Sequence, residues 1–172
     1  DSAAIGRSEV DLLAKQIGKS GKIAILSAAA SATNQNTWIG YMKQQLKKYP
    51  KMSLASIVYG NDDPTTSTQV AQGLLQQFPD LKGIISPTTV GISSAAQVLQ
   101  QEGKCKTVAL TGLGLPDQMR KYVKQGCAKK FGLWNERDFG YLAAYVAHNV
   151  LAGKLTGKLG QTFKAGKLGS FT

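Results

Sequence analysis

The sequence predicts an α/β domain: a three-layer α/β/α sandwich around a mostly parallel sheet of about five strands. Short apolar runs begin near residues 22, 54, 82, 107 and 128, and a helix-type segment follows each of them. Strict alternation of this kind calls for parallel strands joined by right-handed crossovers. The runs are also continuously apolar instead of alternating, as strands covered on both faces must be.

Residues 5–17 read as a helix, with Val10, Leu12, Leu13 and Ile17 roughly on one side, and Gly18 and Gly21 end it. Residues 22–26 form the first strand. A loop of small and polar residues leads from it to a helix that opens on Asn34-Gln35-Asn36 and carries Trp38, Ile39, Met42 and Leu46 at helical spacing. Tyr49-Pro50 stops that helix, and 54–58 is the second strand. Asp63 is suited to cap the next helix with Pro64 at its first position. Val70, Leu74, Leu75 and Phe78 line its buried side. Residues 81–85 form the third strand, followed by Ser86-Pro87-Thr88-Thr89 and a helix bearing Ile92, Ala95, Ala96 and Leu99. Residues 107–110 form the fourth strand, Pro116 starts a short helix, and 128–133 is the fifth strand. The last long helix covers 135–151. The pattern gives a ligand-binding lobe over 1–152 and an irregular tail over 153–172, rich in glycine and lysine, that expects something to pack against.

A net charge of +11 raises the question of a nucleic-acid partner. The cations fall mostly in or just beyond the last turns of the predicted helices, where they complement the helix dipole. No aromatic residues interleave with arginines as a stacking groove requires, so the reading is a solvated surface and no nucleic acid. No apolar run is long enough to span a bilayer. Asp1-Ser2-Ala3-Ala4 lacks the charged-then-apolar pattern of a signal peptide, so any leader is expected to be absent or already removed.

No catalytic set emerges. His148 is the only histidine and lies in the last long helix, away from any strand end. One histidine and two distant cysteines do not make a zinc site, and Gly112-x-Gly114 is too short for a dinucleotide fingerprint. Asp62-Asp63 is most simply the helix cap. The expectation is a protein without cofactor or metal and without catalysis. Cys105 and Cys127 each precede a strand, so neighbouring strands bring them to one edge of the sheet. A disulfide there closes a loop of about 21 residues, worth roughly 3 kcal/mol, and implies an oxidising compartment. Two free thiols are the alternative.

What remains is a row of neutral groups at strand carboxyl ends, where open α/β sheets bind ligands. It comprises Asn34, Gln35, Asn36 and Trp38; Pro87, Thr88 and Thr89; Leu113 and Gly114; and Trp134 and Asn135. Amides and hydroxyls orient a ligand by hydrogen bonding while an aromatic ring covers an apolar face, which suits an uncharged polyhydroxylated molecule. The plainer account makes Asn34 and Thr88 helix caps and both tryptophans core.

The segments KIAILSAAASATNQNTW, IVYGNDDPTTSTQVAQGLLQQFPDLKGIISPTTVGISSAAQVL, VALTGLGLPDQMRKYVKQGCAKKFGLWN, FGYLAAYVAHNVLAGKLTG and FKAGKLGSFT resemble the sugar-type periplasmic solute-binding proteins of ABC importers. Within these the sequence is most similar to the rhamnose-binding and autoinducer-2-binding receptors. The resemblance implies a periplasmic or otherwise extracytoplasmic receptor. Its partners would be a small neutral sugar and a membrane permease. It covers only the family's carboxyl-terminal lobe, so it also implies an amino-terminal partner lobe preceding Asp1, and exposed interlobe surface that could support a homodimer. The autoinducer receptors use an Asp-Gln pair at the place of Asn34-Gln35, and backbone at the places of Pro87 and Thr89. A neutral amide at Asn34 points to a rhamnose-type ligand and away from an autoinducer. Gly114 stands where many pentose and hexose receptors carry an aspartate. Trp134 and Asn135 match a segment close to the hinge. Related folds serve as effector domains of lactose-repressor-like regulators, which is the alternative function.

Overall fold

The central strand, β1 (Gly21–Ser27), is buried from Ile23 onward, and its side chains alternate between two separate cores. Ile23 and Ile25 face one cluster while Ala24 and Leu26 face the other. The computed structural model describes residues 1–172, which form two compact units, Asp1–Leu133 and Trp134–Thr172.

In the first unit, helix α1 (Ser2–Gln16) is capped by the Asp1 carboxylate, which accepts from Ala3 N at 2.9 Å. After β1 come α2 (Thr33–Leu46), β2 (Met52–Tyr59), α3 (Pro64–Gln77), β3 (Leu81–Ser86), α4 (Thr89–Gln101), β4 (Ala109–Gly112) and α5 (Pro116–Lys124). All strand pairs in this sheet are parallel, in the order β2-β1-β3-β4. Helices α1 and α2 supply Val10, Leu13, Trp38, Ile39 and Met42 to one core, where Leu13 lies against the bare backbone of Gly83. Helices α3, α4 and α5 supply Leu74, Ile92, Leu99, Met119 and Tyr122 to the other. The sandwich is therefore three-layered, and the strand order reverses at β1, which puts the switch point between β1 and β3.

Two expectations shift. The segment 128–133 is not a strand; only Gly132 bridges to Leu113, with Gly132 N donating to Gly112 O at 2.8 Å and Gly114 N to Gly132 O at 3.0 Å. Lys130 O instead accepts from the Thr111 hydroxyl at 2.9 Å, which takes that carbonyl out of a ladder. The sheet thus has four strands with one bridge in the fifth position. The fourth strand also starts two residues later than its apolar run, because Thr107 N and Val108 N both turn back to Lys104 O at 2.9 Å. The Cys105–Cys127 disulfide forms, with Cα atoms 4.2 Å apart, and no free thiol remains.

The second unit contains α6 (Glu136–Leu151), capped by Asn135, whose side-chain oxygen accepts from Asp138 N at 3.1 Å. It also holds a two-stranded antiparallel ribbon of β5 (Phe163–Lys164) and β6 (Ser170–Phe171), so the segment from 153 is not wholly irregular. The chain divides before α6, not at 152. No residue of α6 is buried, and Phe139 is 67% exposed. No helix is long and apolar enough to cross a membrane.

Candidate functional site

The carboxyl ends of β1, β3 and β4 are tied into one rim by hydrogen bonds that the strand ladder does not provide. The Ser86 hydroxyl donates to Leu26 O at 2.8 Å, and Leu113 N donates to Ser86 O at 3.0 Å. Gly60 N, just past β2, donates to Ser27 O at 2.9 Å. Gly112 has to be glycine here: its φ is +145°, and a Cβ would fall 1.8 Å from Ser86 O. Gly91 opens α4 in the same way, since a Cβ would collide with Ser86, Leu26 and Thr88.

The Asn34-Gln35-Asn36 segment splits three ways. Gln35 is 6% exposed, and its Oε1 accepts from the Ser27 hydroxyl at 2.5 Å and from Ala28 N at 2.8 Å. Its amide therefore locks the β1–α2 loop onto the strand end. Asn36 is exposed and donates to Ala30 O at 2.8 Å, steadying the same loop from outside. Asn34 is exposed in the first turn of α2, inside the helix and not at its cap. Trp38 is 7% exposed and packs in the α1–α2 core.

In the β3–α4 turn Pro87 and Thr88 are buried and Thr89 is half-buried. Thr88 occupies the N-cap position but does not cap; its hydroxyl donates to Asp62. Helices α2 and α4 thus both begin at the rim without a side-chain cap, whereas α3 is capped by Asp63, which accepts from Thr66 N at 2.7 Å. That hydrogen bond and its neighbours hold the Asp63 carboxyl below the usual range. The amides opening α2 and α4 remain available to an incoming acceptor.

Asp62 is the rim residue that sequence reasoning passes over as part of a cap. It is exposed, with φ +51°, and links the β2–α3 loop to the β3–α4 turn through Thr88. The signal was present: only one acidic residue can occupy the N-cap before Pro64, so the other must serve elsewhere. Gly114 is buried, with Met119 and Phe131 filling the space a Cβ would need. Leu113 is buried beside it. Trp134 and Asn135 belong to the second unit; the tryptophan is 45% exposed, and the asparagine amide is engaged in capping α6.

Apart from Asp62, this rim offers neutral hydrogen-bonding groups and helix-start amides, and no cluster of side chains suited to a metal ion occurs. His148 is exposed on α6 in the second unit. The rim lies at the switch point of a doubly wound sheet, the place where open α/β sheets bind ligands.

The chain belongs to the periplasmic binding protein domain family, whose model matches residues 1–155. It is 46% identical to a sugar ABC transporter protein from Actinomyces odontolyticus, with a TM-score of 0.86, covering 99% of this chain and 55% of that one. It is 39% identical to an ABC transporter solute-binding protein from Clostridium phytofermentas with bound L-rhamnose, with a TM-score of 0.92, covering 99% and 56%. A solute-binding protein from Actinobacillus succinogenes with bound D-allose shares the fold at 22% identity and a TM-score of 0.83. The chain therefore spans a little over half the length of these relatives. The relatives are a sugar ABC transporter protein and ABC transporter solute-binding proteins.

Proposed function

We propose that this chain is the substrate-binding lobe of an ABC-type sugar importer and holds a neutral sugar of the rhamnose type at its strand carboxyl ends. The single observation that carries the reading is the pair of uncapped helix starts, α2 and α4, flanking the switch point in a chain 39% identical to a receptor with bound L-rhamnose. Asn34, Thr89 and Asp62 are the groups that reach the sugar. Gln35, Asn36, Pro87 and Thr88 position them, and Gly114 keeps the β4 end close-packed. An acceptor such as Asp62 suits a sugar hydroxyl, whereas Asn34 favours rhamnose over a ligand that needs an anionic partner at that place.

The receptor works outside the cytoplasm, delivers its sugar to a membrane permease, and closes on it with a second lobe supplied by the rest of the full-length protein. The apolar stripe Phe139, Val146 and Val150 on α6 is the surface we assign to contact with that remainder, a homodimer being the alternative occupant. The likeness to importer components at 46% and 39% identity favours this reading over a regulator's effector domain.

Calorimetric titration with L-rhamnose, a panel of hexoses and pentoses, and autoinducer-2 tests the assignment. L-rhamnose is expected to bind best, and only weakly to residues 1–172, because one lobe leaves the ligand half in water. A preference for autoinducer-2 overturns the ligand class. A Kd tighter than about 1 μM for residues 1–172 overturns the two-lobe clamp.

A further inference from the structure

We propose a second binding site, for a multivalent oxyanion of the phosphate type, at the opposite end of the sheet from the sugar rim. A cavity of about 560 Å³ opens there among the α1–β1 connection, the start of β3 and the segments around the disulfide. Its charged lining residues are Lys82, Lys106 and Lys129; no carboxylate lines it.

Helix dipoles do not account for these three lysines. Dipole complementation acts within the last turn of a helix. Lys15 in α1 and Lys121 and Lys124 in α5 already occupy that position. Lys82 is the second residue of β3, while Lys106 and Lys129 each lie five residues beyond the end of a helix. None of the three forms an ion pair, although Asp80 also lies in the field of Lys82. The nearby Asp80 is engaged with Lys22 at 2.9 Å, which holds its carboxyl below the usual range.

The three lysines are exposed, but the chain that carries them is held in place. The Lys82 stem lies across the backbone of Gly21, where a Cβ would come within 2.5 Å of its Cγ. Lys106 adjoins Cys105 and Lys129 follows Cys127 by two residues, so the disulfide fixes both segments with Cα atoms 4.2 Å apart. Three cations around one cavity that no carboxylate lines repel one another, and an oxyanion bridging them removes that repulsion while making charge-assisted hydrogen bonds. The cavity is far larger than a single phosphate, which favours a phosphate ester or a short polyphosphate. The hydroxyl of Ser20 and the amide of Gln16, also in the lining, can serve its uncharged part.

The test is calorimetric titration with sodium tripolyphosphate, with inorganic phosphate as the single-phosphate comparison and phosphatidylglycerol vesicles as a lipid-borne source of phosphate groups. Tripolyphosphate is expected to bind in a salt-sensitive manner and more tightly than phosphate. The K82A/K106A/K129A variant should lose about tenfold or more in affinity, with its melting temperature and L-rhamnose titration unchanged. The control K47A/K48A/K51A, in cations outside the cavity, should retain binding. If vesicles bind instead and the same three substitutions abolish it, the anion is a lipid headgroup and the site stands. Equal losses in both variants overturn the proposal, because net charge alone then governs binding. So does the absence of binding to both tripolyphosphate and vesicles.

Discussion

The two ends of the sheet in the first unit are built on opposite plans. At the carboxyl end, side-chain hydrogen bonds run between neighbouring strands and loops: Gln35 to Ser27 and Ala28, Ser86 to Leu26, and Thr88 to Asp62. At the amino end a disulfide joins two loops and lysines surround the space between them. The rim we assign to the sugar is rigidified by these side-chain hydrogen bonds, two of them to backbone. An end with few such side chains is rigidified covalently. The contrast is physical: hydrogen bonds at the rim leave its amides preorganised and its electrostatics mild, whereas the cross-link lets like charges stay close.

The contrast can be broken most forcefully at its glycines. Gly112→Val at the rim drives a Cβ into Ser86 O at a φ of +145° and is expected to cost more than about 4 kcal/mol in urea unfolding. Gly126→Ala at the other end meets nothing within 4 Å and should cost only about 1 kcal/mol, the strain of its φ of +78°.

Glu9 belongs to neither end and supplies a pH test of the helix layer. It is 3% exposed, both its oxygens lack hydrogen-bond partners, and burial pushes its pKa to about 8. Between its ordinary value of 4.5 and about 8, the folded chain keeps a proton that the unfolded chain has released. Stability therefore falls as pH rises through that window. Glu9→Leu should stabilise the protein by roughly 3 kcal/mol at pH 7 and somewhat more above pH 8, with the gain shrinking towards pH 4. Melting curves across pH check this; a gain independent of pH would contradict it.

Removing the cross-link with Cys105→Ser and Cys127→Ser should cost about 3 kcal/mol, mostly by freeing the unfolded chain. Sugar binding at the far end should be retained. The smallest effect separates two adjacent amides. Gln35→Ala strips the acceptor from Ser27 and Ala28 and should cost about 1–3 kcal/mol of stability. Asn34→Ala, in the exposed first turn, should change stability by less than about 0.5 kcal/mol while weakening sugar binding.

Strands were legible in the sequence where burial on both faces made the apolar run continuous, as in 22–26 and 81–85. The fourth strand was displaced because a turn at Lys104 and the disulfide beside it consume the first residues of its run. The fifth reduces to Gly132 because Lys129 and Lys130 interrupt it and Thr111 captures the Lys130 carbonyl. At the site, Gln35 could have been placed inward, since it shares a helical face with Trp38, Ile39 and Met42. Its partner, the strand-end hydroxyl of Ser27, could not be read from spacing alone. Asp62 was obscured by its neighbour Asp63, which does the capping. The second unit was the least legible. The Phe139, Val146 and Val150 stripe has the period of a buried face, yet it is exposed in this chain.

The most direct test of the account is an amide-resolved NMR titration with L-rhamnose. Perturbations are predicted to gather at Asn34, Asp62 and Thr89 and along the first turns of α2 and α4, leaving Lys82, Lys106 and Lys129 unmoved. Perturbations centred on the disulfide end, or none at any L-rhamnose concentration reached, would contradict it.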